Sequence, residues 1–183
     1  MLARRNLLLA LAALPGAGRA APVATDHGFT QDWIEESFLN LPEDLAEAQA
    51  AGKRLAVVVE QRGCPYCREM HQDHLAQPGI EQFIRAHFRL VQLDLHGARA
   101  VTDLDGTEME ERALARRWQV RFTPCIVFLP ERADGRPGRA VEVARMHGLL
   151  PKPEFLGMFR YVAERGYADG TPFPAWWQSR RQG

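Results

Sequence analysis

Cysteine is scarce in this chain of 183 residues, which contains only Cys64, Cys67 and Cys125. Three thiols allow one internal disulfide at most, which excludes the disulfide-rich scaffolds of small secreted domains. Net charge is lacking as well, because 23 basic residues balance 23 acidic residues. A neutral chain has no electrostatic basis for binding nucleic acid or an anionic membrane surface, and we expect neither as a partner.

Long hydrophobic runs are also absent. The run from Leu7 to Leu14 is too short to span a bilayer, but it follows Arg4 and Arg5 and precedes small residues that end at Ala20. This arrangement predicts a signal peptide over residues 1–20, so the mature protein is expected in a bacterial periplasm. The paired arginines fit a twin-arginine leader or a plain secretory leader, and the route stays open.

The remaining composition is that of a single globular domain. Hydrophobic residues make up 46% of the chain and charged residues 25%, and no internal repeat is visible. We expect a linker at 21–29, one domain at 30–166 and a C-terminal tail at 167–183. The tail contains two tryptophans and either packs against its own domain, which we favour, or docks a partner.

Hydrophobic patterning predicts alternating strands and helices. Apolar runs indicate strands at 55–61, 88–95 and 125–129, and alternation indicates a fourth at 141–144. Helical spacing or capping signals indicate helices at 33–41, 42–51, 64–75, 80–84, 107–118 and 155–162. This order predicts an α/β fold with a parallel crossing and a late antiparallel hairpin.

The chemistry of the chain is concentrated in Cys64-Pro65-Tyr66-Cys67, directly after the first predicted strand. A helix beginning at Cys64 would stabilise an exposed thiolate there, and Cys67, one turn later, would be the resolving thiol. Pro65 suits a first helical turn, and Pro65 and Tyr66 would tune the redox potential. Because a bridge across two residues closes too small a loop to stabilise a fold, the pair predicts redox chemistry.

Thr123-Pro124 lies some sixty residues after the dithiol and before a predicted strand. This order resembles the thioredoxin superfamily, and the resemblance covers about residues 45–165. It implies a thioredoxin-like fold, in which a central mixed sheet is flanked by helices and a cis-proline loop faces the active-site pair. Thr123 would then offer free backbone groups to an extended peptide beside the Cys64 sulfur.

Within that superfamily the chain looks most like the exported SoxW-type thioredoxins of bacterial sulfur oxidation. The matching segments are Val59-Glu60-Gln61, Gly63 to Cys67, Met70-His71 and Thr123-Pro124. The resemblance implies reduction of disulfides in other exported proteins and re-reduction by a membrane electron donor. It implies no cofactor besides the Cys64–Cys67 disulfide, no metal, and a monomer.

Two departures from the family pattern concern the surroundings of the dithiol. Gly63 replaces the usual tryptophan, and Val58 replaces a buried aspartate. Glu60 projects to the same strand face as Val58, so one hypothesis gives it the role of proton acceptor for Cys67. The alternative is a solvent-exposed glutamate at a strand end.

Other residues allow more than one interpretation. Cys125 is either a small buried hydrophobe, which we favour, or a third thiol acting on the pair. His71 could ligate a metal together with Cys67, although further ligands are lacking. Arg62 and Arg68 either help hold the thiolate or are solvated charges. For the whole protein, the alternatives to a reductase are a disulfide oxidase or isomerase, and a metal-delivery or haem-maturation chaperone that uses the dithiol as ligands.

Overall fold

The structure is a computed structural model that describes residues 22–25 and 28–181. The predicted signal peptide, residues 1–20, lies outside the described residues. No helix within the described ranges is both long enough and apolar enough to cross a membrane.

Four strands form the central sheet. The strands of the chain are β1 (Val23–Thr25), β2 (Gly28–Thr30), β3 (Arg54–Glu60), β4 (Phe88–Asp94), β5 (Ala100–Thr102), β6 (Glu108–Glu110), β7 (Cys125–Phe128) and β8 (Ala144–His147). The sheet has the order β4-β3-β7-β8, with β3 parallel to β4 and the other two pairings antiparallel. Strands β1 and β2, and separately β5 and β6, form small antiparallel hairpins.

Helices cover both faces of this mixed sheet. They are α1 (Leu41–Ala50), α2 (Pro65–Glu69), which continues as a π-helical segment (Met70–Leu75), α3 (Pro78–His87), α4 (Glu111–Arg117), α5 (Gly138–Val141), α6 (Lys152–Ala163) and α7 (Phe173–Arg181). One buried cluster joins the sheet to α1 and α4, and a second joins it to the π-helical segment, α3 and α6. The predicted thioredoxin-like α/β fold is therefore confirmed.

The central strand β3 positions the site. Its side chains alternate between the faces: Val57 and Val59 belong to the first cluster, whereas Ala56 and Val58 belong to the second. Both faces are buried, which explains the continuously apolar sequence of this strand. The same alternation turns Glu60, its last residue, toward the face covered by the π-helical segment.

The predicted helix at 33–41 is wrong. Residues 33–38 form turns and irregular structure, and α1 begins only at Leu41, after the N-cap residue Asn40. Leu39 has a φ of 60°, in the left-handed region, which a right-handed helix cannot include. Phe38, one of the residues at helical spacing, is fully exposed.

The predicted strand at 141–144 is also wrong. Residues 138–141 form the short helix α5, and the strand begins at Ala144, which lies opposite Phe128. Val141 is buried in the first cluster and Val143 packs against the second. The alternating apolar residues therefore mark a segment that passes from one buried cluster to the other, not a strand.

The helix predicted to begin at a Thr107–Glu110 capping box begins later. Residues 108–110 form β6, and α4 starts at Glu111. The fully buried carboxylate of Glu111 accepts hydrogen bonds from the backbone N–H groups of Asp94 and Arg99. These long-range bonds fix the start of the helix, and no local capping signal encodes them.

The two ends of the domain are more structured than predicted. The expected linker at 21–29 includes β1 and the first residues of β2. In the tail, α7 packs against α6, and the ring of Trp177 lies where a side chain on Gly157 would be. Trp176 contacts Tyr161 edge-on, with ring centroids 5.4 Å apart. The described part of the tail thus packs against its own domain.

Candidate active site

The two cysteines lie where β3 gives way to α2. Cys64 and Cys67 form a disulfide, with their Cα atoms 5.3 Å apart. Cys64 is the N-cap of α2, and the backbone N–H of Cys67 donates to its Sγ at 3.1 Å. Gly63, with a φ of 76°, makes the turn into the helix, a conformation in which a residue with a Cβ would be strained.

The two sulfurs differ in accessibility. Cys64 is 7% exposed and Cys67 is 2% exposed, so Cys64 is less exposed than the sequence predicted but remains the more accessible of the pair. Pro65 and Tyr66 between them face solvent, and Tyr66 is among the most exposed large apolar side chains of the described chain. An incoming partner therefore meets Cys64 first.

A second loop approaches the disulfide from the opposite side. The Thr123–Pro124 peptide bond is cis, as the family resemblance implies, and the carbonyl oxygen of Thr123 lies 3.6 Å from the Cys64 Sγ. The backbone N–H of Gly148 donates to the Pro124 carbonyl and ties this loop to the end of β8. The N–H of Thr123 donates no hydrogen bond within the described residues. The loop therefore offers free backbone groups directly beside the Cys64 sulfur.

Glu60 is buried, so the alternative of an exposed strand-end glutamate is wrong. The residue is 4% exposed. Its carboxylate accepts hydrogen bonds from His71 Nε2, at 3.0 and 3.1 Å, and from Gln92 Nε2, at 3.0 Å. A carboxylate away from water needs such donors. Glu60 is therefore a satisfied buried acid on the strand that leads into the dithiol.

Gln31 fixes the tautomer of His71. The Nε2 of Gln31 lies 2.9 Å from the carbonyl oxygen of His71, so the amide must present its NH₂ group there. The same nitrogen lies 3.2 Å from His71 Nδ1, which must then accept. The remaining ring proton sits on Nε2 and is donated to Glu60. The fully buried imidazole is thus oriented with Nε2 toward the Glu60 carboxylate.

This polar network lies next to the dithiol helix. His71 follows Cys67 by four residues, one helical turn, so the two side chains share a face. The turn is also where the α-helix changes to the π-helical segment, a distortion common near functional sites. Sequence reasoning singled out Glu60 and His71 but missed Gln31 and Gln92, which no local motif connects to them.

Two cavities border these residues. The first, about 250 Å³, lies between the β1–β2 hairpin and the start of α2 and includes Cys64 in its wall. The second, about 720 Å³, lies between residues 29–39 and strand β4 and includes Glu60. The site thus opens to solvent both at the reactive sulfur and at the buried acid.

Cys125 belongs to a different environment. Its side chain is 1% exposed and lies in the core cluster under α1 and α4. Burial raises the pKa of its thiol, against the opposing influence of Arg145, whose Nη1 is 3.9 Å away. These surroundings fit the interpretation as a small buried hydrophobe.

The described residues contain no group of three His, Cys, Asp or Glu side chains arranged to hold a metal ion. Both ring nitrogens of His71 are engaged, one by Gln31 and one by Glu60.

A disulfide at a helix N-terminus facing a cis-proline loop, on this mixed sheet, defines a protein of the thioredoxin class. A family model for the thioredoxin-like domain matches residues 41–163. The chain therefore belongs to the thioredoxin-like family. Together with the Cys64–Cys67 pair, this membership supports thiol–disulfide oxidoreductase activity.

Solved structures agree with this assignment. A thioredoxin from Thermus thermophilus is 32% identical over 72% of this chain and 90% of that chain, with a TM-score of 0.55. A thioredoxin-fold protein from Helicobacter pylori is 19% identical over 72% of this chain and 81% of that chain, with a TM-score of 0.56, and shares the fold. A comparison with curated protein sequences gave no match.

Proposed function

We propose that this protein is an exported thiol–disulfide oxidoreductase that reduces disulfides in periplasmic protein partners. The main supporting observation is the Cys64–Cys67 pair, whose outer sulfur lies 3.6 Å from the Thr123 carbonyl. An extended peptide that pairs with Thr123 would place its own disulfide beside that sulfur. The predicted signal peptide and the resemblance to the SoxW-type proteins support export and the reducing direction.

The proposed cycle starts from the reduced pair. The Cys64 thiolate attacks one sulfur of a substrate disulfide, a new S–S bond forms, and the other substrate sulfur leaves as a thiolate. The Cys67 thiolate then attacks Cys64, which releases the second substrate sulfur and forms the Cys64–Cys67 bond. Two electrons pass to the substrate, and a membrane electron donor returns two to the pair. We expect a monomer that needs no other cofactor.

The surroundings of Cys64 favour its ionised form. The backbone N–H of Cys67, in the first turn of α2, already donates to the sulfur. This donor and the helix dipole stabilise a negative charge at this position. Cys64 is therefore proposed as the attacking thiol, and the less exposed Cys67 as the resolving thiol.

Glu60 is proposed as the proton acceptor for Cys67. Cys67 must lose its proton before it can attack the mixed disulfide, and Glu60 is a buried carboxylate at the end of β3, hydrogen-bonded to His71 on the segment that continues the dithiol helix. His71 acts as a positioning residue, because its Nε2 is hydrogen-bonded to both carboxylate oxygens of Glu60 and holds them oriented. The 720 Å³ cavity that Glu60 lines would exchange the proton with solvent.

Trapping tests the activity. Cys67→Ser removes the resolving thiol, so this variant should accumulate a mixed disulfide between Cys64 and a substrate protein, detectable by mass spectrometry. Cys64→Ser is the matched control and should form none. If neither variant formed a mixed disulfide with a substrate protein, or if the control formed one through Cys67, the assignment would be contradicted.

The reduction potential tests the direction. A potential of the Cys64–Cys67 pair near about −270 mV, like that of thioredoxin, is expected for a reductant. A value near or above roughly −120 mV would instead identify an oxidant.

A further inference from the structure

The cleft beside Cys64 indicates which disulfides this protein prefers. We propose that its substrates present acidic side chains next to the reactive disulfide and that Arg62 and Arg68 bind them. The proposal rests on the proposed oxidoreductase function and deepens it by naming the substrate class: protein segments that carry Asp or Glu beside a cystine.

The cleft has a wall on each side. The β1–β2 hairpin forms one wall, and the turn before α2 with the first turn of that helix forms the other. The lining residues are Thr25, Gly28, Phe29, Arg62, Gly63, Cys64, Pro65 and Arg68. At about 250 Å³ the cleft accommodates one or two side chains of a docked segment. Among the described residues that line it, the charged ones are Arg62 and Arg68, and both are cationic.

Both arginines are available to a ligand. Their side chains are exposed, and within the described ranges neither takes part in an ion pair or a side-chain hydrogen bond. Elsewhere arginines are commonly neutralised internally: Arg89, for example, pairs with three carboxylates. Two unpaired cations in one cleft of a chain with no net charge form a local positive potential that complements an acidic segment.

The other side of Cys64 adds an apolar contact surface. Tyr66 is 61% exposed and Phe122, directly before Thr123, is 69% exposed. Exposed aromatic side chains are common anchors in protein interfaces. Arg121, also exposed and without an ion pair in the described chain, extends the positive charge to this side. The preferred segment therefore combines an apolar residue with acidic ones.

The electrostatic part of this recognition has a predictable size. Exposed ion pairs are weak individually and are screened by salt, so two of them change a rate by about three- to tenfold at low ionic strength. The ratio of the rates for acidic and neutral substrates should fall toward one at about 1 M salt, where the screening length falls to roughly 3 Å.

Single-turnover reduction of matched peptides tests the proposal. The reduced protein is mixed with three cystine peptides that differ only in having Glu, Gln or Arg beside the disulfide, and the second-order rate constants are compared. We expect the Glu peptide to react about three- to tenfold faster than the Gln peptide, and the Arg peptide to be slowest.

Variants assign the preference to the cleft. In the double variant R62Q/R68Q, the ratio of Glu-peptide to Gln-peptide rates should fall to near one. The ratio is the readout because any effect of these arginines on the Cys64 thiolate acts on all three peptides alike. Arg136→Gln removes an exposed arginine in the loop between β7 and α5 that forms no ion pair with any described residue; it is the matched control and should keep the wild-type ratio.

The outcomes separate this proposal from the one on which it rests. Equal rates for the Glu and Gln peptides, or a ratio that R62Q/R68Q leaves unchanged, would overturn the acidic-substrate proposal while leaving the oxidoreductase function intact. If the reduced protein reacted with none of the peptides, the proposed function itself would fail.

Discussion

At the scale of single residues, the buried acid beside the dithiol most clearly distinguishes this site. Glu60 ends a strand whose other residues are almost all apolar, and its carboxylate is hydrogen-bonded to His71 and Gln92. Gln31 in turn fixes which nitrogen of His71 carries the proton. A carboxylate secured in this way can accept a proton without moving.

Replacing Glu60 should slow the resolving step. In Glu60→Gln, with a small thiol attached to Cys64, we expect its release by Cys67 to be about tenfold slower or more near pH 7, because an amide cannot accept the proton. The difference in rate between the variant and the wild type should disappear above about pH 9, where an ordinary thiol ionises without a proton acceptor. Quenched-flow mass spectrometry over a pH series gives the rates.

A matched variant distinguishes this role from a general charge effect. Glu69→Gln removes an exposed carboxylate two residues from Cys67 and should leave the pH dependence of the release rate unchanged. A Glu60→Gln profile that coincides with the wild type, or a deficit that persists at high pH, would rule out proton transfer to Glu60.

The third cysteine should be inert in the folded protein. Burial raises the pKa of the Cys125 thiol, so the unreactive protonated form persists to higher pH than for a free thiol. With the other two cysteines oxidised, a maleimide reagent at pH 8 should modify no thiol in native protein and one after denaturation. Rapid labelling of the native protein would show that Cys125 is accessible and would reopen its role as a third redox thiol.

At the scale of elements, the sequence predicts best where local pattern and tertiary burial agree. β3, β4 and β7 are found to within one or two residues. β3 and β7 are buried on both faces and almost continuously apolar, whereas β4 places half-buried Arg89, Gln92 and Asp94 among buried apolar residues. The helix at 33–41 and the strand at 141–144 fail because their spacing arises from contacts with distant parts of the chain. The π-helical segment and the hairpin at the N-terminus have no local signal of their own.

The same distinction applies to the site. The dithiol and Thr123-Pro124 were predictable because their chemistry depends on residue type and order. Gln31 and Gln92 are ordinary polar residues in sequence, and only the fold brings them to Glu60. The hairpin wall of the Cys64 cleft, which includes Phe29, lies in the segment predicted as a linker, because no local pattern marks its contact with the dithiol.

The helix α6 is held by aromatic contacts. Phe159 is fully buried and lies about 5 Å, between ring centroids, from Phe88, Phe128 and Phe155. Phe159→Ala should lower the free energy of unfolding by about 3–5 kcal/mol, because it removes these contacts and leaves a cavity. Urea denaturation of the oxidised protein measures this change in the free energy of unfolding.

Phe38→Ala provides the control, since Phe38 is fully exposed and its truncation should change the stability by less than about 0.5 kcal/mol. Equal effects of the two substitutions would contradict the described core.

At the scale of the whole molecule, two helical layers cover one sheet, in which the C-terminal end of β3 lies beside the N-terminal end of β7. Cys64 follows the first of these strands and Thr123-Pro124 precedes the second, which is why residues about sixty positions apart lie in contact. The β1–β2 hairpin and the tail helix α7 pack onto the sheet and its helices and leave this end of the sheet in place. The reactive sulfur therefore lies between a backbone that can pair with a peptide and a cleft lined by arginines.

The pH dependence of Cys64 alkylation in the reduced protein tests the central claim most directly. We expect Cys64 to react first, with a rate midpoint below about pH 7.5, as for thiols at helix N-termini, and Cys67 to react only at higher pH. Peptide mapping after brief iodoacetamide pulses resolves the two sites. A Cys64 midpoint at the ordinary value of about 8.5, or preferential labelling of Cys67, would contradict the assignment of Cys64 as the attacking thiolate.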